Sequence, residues 1–174
     1  MNLWFRVLRV LLLALRRPRL GPLDESRIDF RVWPTDLDIN VHMNNARYMA
    51  LMDLGRLDMI VRTGIGRQVT RERLQPVIAN ASVRFRRALG PFQRFTLRTR
   101  LLGWDDKWMY IEHRLERDGE VACRAVVRGL FLGKGGAVPP AELLRDAGHA
   151  AASPALPDWV ATWQALDAAQ SATP

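Results

Sequence analysis

Two hydrophobic periods divide this chain. Between Asn45 and about Arg62, Tyr48, Leu51, Met52, Gly55 and Met59 recur at three- and four-residue intervals, which predicts an amphipathic helix buried along one side. Gly55 weakens that helix intrinsically, so another backbone is expected to pass close to it. Gly64 supplies a left-handed stop just beyond it. From Gln75 onward the period falls to two. Val77, Ala79, Ala81, Val83 and Phe85 mark one strand, ending at Gly90-Pro91, and Phe95, Leu97, Thr99 and Leu101 the next, ending at Asp105-Asp106. Met109, Ile111, His113 and Leu115 follow, then Asp118-Gly119, a strong two-residue hairpin signal. Val121, Cys123, Ala125, Val127 and Phe131 complete the series before Gly133 to Gly136 turn the chain. A further strand, Arg27 to Trp33, precedes the helix with Ile28, Phe30 and Val32 on one face. After Pro139-Pro140 come short helices at Ala141 to Ala147 and Pro157 to Ala168, the second read as peripheral. An antiparallel sheet that is apolar on one face must cover something, and the Asn45 helix is the long amphipathic element available. The expected class is α+β.

Between the first strand and the helix, Asp36, Asp38, Asn40, His42 and Asn44 alternate with Leu37, Ile39, Val41 and Met43. An extended backbone would line the polar five up in one row. Asp and Asn are poor strand formers, however, and suit a loop that holds hydrogen-bonding groups in place.

Composition refines this picture. The 174 residues, 48% hydrophobic and 25% charged, fit one domain able to bury its own core. One cysteine, Cys123, leaves no disulfide framework, and His42, His113 and His149 lack metal-ligand spacing. The net charge of +8 is concentrated at the front: residues 1 to 20 hold Arg6, Arg9, Arg16, Arg17 and Arg19 and no acid, leaving 21 bases against 18 acids elsewhere. The body is therefore only mildly basic, and no nucleic-acid-binding module is visible. The longest uncharged stretch of the arm, Val10 to Leu15, is far short of the about 20 residues that span a bilayer. A secretory signal would place small residues after that run, whereas Arg16, Arg17, Pro18 and Arg19 follow it. On a helical wheel Arg6, Arg9, Arg16 and Arg17 gather on one side. That suits a helix in the interface of an anionic membrane, or one docked on a greasy surface of its own oligomer. The expected layout is a basic amphipathic arm over 1–20, a domain over 21–138 and a helical extension over 139–174. A cytoplasmic location, with contact to the inner membrane face through residues 1–19, fits these features.

The run Asp38, His42, Asn44, Asn45 and Tyr48, then Asp53 and Arg56, resembles the D-x-x-x-H-x-N-N-x-x-Y signature of hotdog-fold thioesterases related to 4-hydroxybenzoyl-CoA thioesterase. With Asn40, D-L-D-I-N-V-H-M-N-N is also similar to plant fatty acyl-ACP thioesterases. The resemblance covers about residues 25 to 135. It implies an antiparallel sheet of five to six strands wrapped around one long central helix, a homodimer or dimer of dimers, and a site at the subunit interface. It further implies hydrolysis of an acyl thioester of coenzyme A or acyl carrier protein, with no cofactor beyond that substrate moiety and no metal. Asp38 takes the family's catalytic carboxylate position, with Asn40 and His42 assisting. Many bacterial members have Gly before the His, where this chain has Val41. A positive φ is then not expected there, which favours the plant-like arrangement.

The residues support the same chemistry. Thioester hydrolysis needs an attacking water or carboxylate and positive potential where the oxyanion forms. Asp38 supplies the first, and the open N–H groups at the helix start, around Asn44 and Asn45, the second. Asp36 and Asn44 read as scaffold, and Tyr48 as core at the edge of the substrate site. Arg84, Arg86 and Arg87, with Arg128 and Lys134 elsewhere on the sheet, are candidates for substrate phosphates, and equally for a solvated strand face. No G-x-S-x-G is present, so a serine hydrolase has no support. A hydratase would need a helix-borne acid and a differently placed His. The competing reading is a hotdog protein that binds acyl-CoA without hydrolysis, or a membrane-associated assembly module.

Overall fold

The computed structural model describes residues 3–171, so the first two residues of the arm and the last three of the extension lie outside it. The elements run α1 (Leu3–Arg16), β1 (Ser26–Arg31), a 3-10 turn (Pro34–Asp36), α2 (Asn45–Arg62), α3 (Ile65–Glu72), β2 (Gln75–Phe85), β3 (Arg94–Trp104), β4 (Met109–Arg117), β5 (Glu120–Gly133), β6 (Gly136–Val138), α4 (Pro140–Asp146) and α5 (Asp158–Ser171). The strands form one antiparallel sheet in the order β1-β3-β4-β5-β2, with β6 folded back on the end of β5.

The sheet curls around α2. At the front, Tyr48, Leu51 and Met52 pack against Ile28, Phe30, Leu97 and Leu115. Toward the C-terminal end Met59 meets Leu101, Ile111 and Val127, and α4 closes that end with Leu143 and Leu144. Gly55 lies between the two clusters. A methyl there would collide with Thr99 Oγ1 and press on Leu97, so it is strand side chains, not a passing backbone, that require the glycine.

The register shifts in three places, between Leu101 and Gly103 in β3, between Leu115 and Glu116 in β4, and in β2, where the shift changes which residues face inward. A bulge at Ala79, between Ile78 and Asn80, breaks the register of β2 with β5. One extra residue reverses the facing of what precedes it, so Ile78, opposite Gly129, turns toward the helix. Val77 was the expected inward residue. Beyond α2, Thr63 caps the helix and Gly64, at φ 87°, launches α3. The pattern hides this helix because Ile65 and Val69 are the two apolar residues in its eight. Helix α5 is docked rather than peripheral. Asp167 accepts from Arg128 and Asn80, Gln164 bonds the Tyr110 hydroxyl, and Val160 is buried.

Helix α1 turns Arg6 and Arg9 to the domain, with Arg17 just past its end, while Arg16 stays exposed. Strand β1 is an edge strand, and carbonyls on its open side need partners. Arg17 donates to the carbonyl of Arg27 at 2.9 Å, Arg9 to that of Asp29 at 3.3 Å and Arg6 to that of Arg31 at 3.2 Å. Guanidinium groups thus cover every second carbonyl of the edge. Arg6, Val10 and Ala14 are buried beneath the helix, while Leu20 N–H and the Arg62 side chain tie the end of the arm to α2. Among the described residues no helix is long and apolar enough to cross a membrane.

Candidate active site

The loop from Asp36 to Asn44 closes on itself instead of running extended. At its base Asp36 is buried and its carboxylate accepts from Arg6 at 2.5 and 3.1 Å and from Trp33 N–H at 2.9 Å. Its carbonyl accepts from Asn44 N–H at 2.8 Å. Leu37 and Met43 pair as an antiparallel bridge, so the two sides of the loop are stitched together. The tip is a tight turn: Asp38 N–H donates to His42 O, Val41 N–H to Asp38 O, and Asn40 N–H to Asp38 Oδ1 at 2.9 Å. The polar five therefore form no row. Asp36 points inward and the rest surround the turn, while Ile39 is 97% exposed at its tip.

Val41 overturns one expectation. Its φ is 60°, in the left-handed region that disfavours a β-branched side chain. The turn requires this conformation whether or not glycine is present, because Val41 N–H must reach back to Asp38 O while Asp38 N–H bonds His42 O.

Asn44 caps α2, its Oδ1 accepting from Ala46 N–H at 2.8 Å and its carbonyl from Arg47 N–H. The next donor, Asn45 N–H, has no acceptor among the described residues and sits at the positive end of an 18-residue helix. Asn45 lines a cleft of about 380 Å³ together with Asp38, Asn40 and His42. Tyr48 and Phe85, edge to face with centroids 5.2 Å apart, form its apolar wall. The Tyr48 phenol is pushed up by burial, against a backbone hydrogen bond at Leu89 that lowers it, and by the charge of Asp38 nearby.

Of the basic candidates, Arg86 and Arg87 line this cleft. Both of their N–H groups share the Ala122 carbonyl, which breaks strand alternation and brings both side chains round. Arg84 does not join them. It stands opposite Arg124 in the register, one residue from the inward-packed Val83, and so faces the outer side of the sheet. Arg128 is committed to Asp167 and to the Trp108 ring, 4.6 Å away. Lys134 sits in the β5–β6 turn, away from the cleft. No group of His, Cys, Asp or Glu able to hold a metal occurs among the described residues.

Further along α2, a second cavity of about 310 Å³ separates the helix from the β2 side of the sheet, with Leu57, Ile78, Ile111 and Phe131 in its walls and Asp53 and Arg56 at its rim. Arg56 pairs with Asp53 and places Nη1 2.9 Å from Nε2 of the fully buried His113. Because arginine only donates, Nε2 accepts and the ring proton sits on Nδ1, 3.0 Å from Thr99 Oγ1. Burial, then Arg56, holds the His113 imidazole well below its ordinary 6.5, in the neutral state. Sequence reasoning left this network out. Its signal was two polar residues, Thr99 and His113, at inward strand positions with Gly55 at the facing helix position.

A six-stranded antiparallel sheet curled around one helix, with an acidic loop feeding that helix's N-terminus, defines a hotdog-fold protein of α+β class. The chain belongs to the thioesterase-like superfamily, whose family model matches residues 32–164. It is similar to Protein THEM6 of Danio rerio, 34% identical over 74% of this chain and 68% of that protein. It is also similar to Protein THEM6 of Xenopus laevis, 41% identical over 48% of this chain but only 40% of that protein's length. Among solved structures it shares the fold of YbaW, a probable thioesterase from Escherichia coli, with a TM-score of 0.64 and 21% identity over 70% of this chain and 94% of that one.

Proposed function

We propose that this protein hydrolyses an acyl thioester of coenzyme A or acyl carrier protein, with Asp38 as general base or nucleophile. The observation that carries the proposal is the sharing of one cleft by Asp38 and by Asn45, whose backbone N–H at the head of α2 has no acceptor among the described residues. In the general-base route Asp38 takes a proton from water as the oxygen adds to the thioester carbonyl. The oxyanion forms against Asn45 N–H and the helix dipole. Collapse breaks the C–S bond, and the leaving thiolate takes up a proton. In the nucleophilic route Asp38 adds first, the C–S bond breaks to release the thiolate and leave a mixed anhydride, and water then opens that anhydride to free the acid and the Asp38 carboxylate. Asn40 and His42, beside Asp38 in the cleft, position water and substrate. Arg86 and Arg87, in the lining of the same cleft, take the phosphates of the thiol carrier, Arg87 in exchange for its pair with Glu120.

The apolar cavity between α2 and β2 is the site for the acyl group, since its walls offer dispersion contact and no polar partner beyond the rim. The open edge of β2, with Ile78 and Phe85 exposed beside both cavities, supports a homodimer joined along this strand. A monomer in sedimentation equilibrium would refute that assembly. The test of function is thiol release from a graded panel of acyl-CoAs. Asp38→Asn is expected to lower kcat by at least about a hundredfold with an unchanged melting temperature. Equal rates in both proteins would remove Asp38 from the reaction, and no release from any thioester would leave a binding protein.

A further inference from the structure

The docking of α1 leaves a second face of that helix unused. Its arginine side covers β1, and on the opposite side Phe5, Leu8, Leu12 and Leu15 stand exposed, from 44% at Leu12 to 73% at Leu15. Their spacing of three, four and three residues makes one continuous stripe along a helix of 14 residues, about 21 Å long. Apolar surface so disposed marks an interaction site.

The stripe does not end in plain solvent. Leu15 lines the rim of a groove of about 710 Å³ between α1, the end of α2 and α3, whose walls carry Arg17, Arg19, Arg62, Arg67 and Arg71 and no acid. Arg17 is held by the Arg27 carbonyl, Arg62 by Asp58 and Arg71 by Glu72. Arg19 and Arg67 are exposed and have no ion-pair partner among the described residues. Guanidinium groups at the end of an apolar stripe match the two layers of a lipid surface: acyl chains for the leucines, phosphates for the forks of arginine. A second copy fits this face poorly. In a two-fold contact centred on the groove, the exposed Arg19 and Arg67 would face the same two cations of the copy.

We infer that the outer face of α1 and the adjoining arginine groove dock this protein on an anionic phospholipid bilayer. Phe5, Leu8, Leu12 and Leu15 enter the boundary between headgroups and acyl chains, and Arg19 and Arg67 take lipid phosphates. The experiment is co-sedimentation of the full chain with phosphatidylcholine vesicles, alone or doped with phosphatidylglycerol. Wild type is expected to pellet with the doped vesicles, to stay in solution with the neutral ones, and to be released by salt. Leu8→Glu/Leu12→Glu is expected to abolish pelleting, and Arg19→Glu/Arg67→Glu to weaken it roughly tenfold or more. Both variants should keep the wild-type melting temperature, since these side chains are exposed. Wild type left in solution with the doped vesicles overturns the inference, as does unchanged binding by the arginine variant. If Leu8→Glu/Leu12→Glu instead splits an oligomer in sedimentation velocity and leaves vesicle binding intact, the stripe belongs to a second copy and the inference falls. Thiol release is not the readout, so the outcome is separate from that of the hydrolysis test.

Discussion

At the scale of single residues, Val41 and His113 each hold a state that their chemistry resists. Val41 occupies left-handed backbone so that the turn can present Asp38. Removing its branched side chain relieves that conformation, against the added chain entropy of glycine. Val41→Gly is therefore expected to raise stability by up to about 1 kcal/mol, read as a higher urea midpoint, while Val41→Ala gains little. A lowered midpoint for the glycine variant would mean that the side chain itself holds the turn. His113 acts through protons. In the folded chain its imidazole stays neutral well below 6.5, whereas the unfolded chain protonates near that value. Below pH 6.5 the unfolded state thus binds more protons, and stability falls as pH falls. Urea melts at a series of pH values should show that slope, and His113→Gln should flatten it. An unchanged slope would place the acid sensitivity elsewhere.

At the scale of elements, the joint between α1 and the loop from Asp36 to Asn44 is the one to break. Arg6 and Asp36 are both nearly inaccessible and their bond ties the helix to the base of the loop. Arg6→Met strands a buried carboxylate and is expected to cost about 3 kcal/mol or more, with thiol release falling as the loop loosens. Arg6→Met with Asp36→Asn should recover part of that loss. If the double change is as costly as the sum of the single ones, the pair does not act as a unit. The two sides of α1 were legible in the sequence, but not which side turns inward, because the acceptors are backbone carbonyls of an edge strand and leave no side-chain trace. Helix α2 and strand β3 were legible because each buries one face and the burial writes its own period, and β4 and β5 because their apolar residues still alternate although Met109 to His113 are buried on both faces. The Ala79 bulge was not, since one inserted residue looks like continued alternation. Around the cleft, the Asn44 cap followed from residue type at a helix start. Telling Arg86 and Arg87 from Arg84 required the shared bond to Ala122, which no spacing rule contains.

At the scale of the whole molecule, α2 is the axis on which both cavities open, the polar cleft at its head and the apolar cavity against its later turns. Filling the second should change selectivity without touching chemistry. Ile111→Trp is expected to lower kcat/KM for long acyl chains by roughly tenfold or more while sparing the shortest, since one displaced methylene already matters by about that factor. A uniform loss across the panel would mean that the acyl group lies elsewhere. The arm's attachment to β1 also governs what can be cut from this protein. Trimming residues 1–19 to remove a greasy, basic tail would bare the carbonyls of Arg27, Asp29 and Arg31 and leave Asp36 without Arg6. The shortened chain would carry an open sheet edge, a template for edge-to-edge aggregation. The tail that looks least soluble is the one that keeps the rest of the chain from sticking to itself.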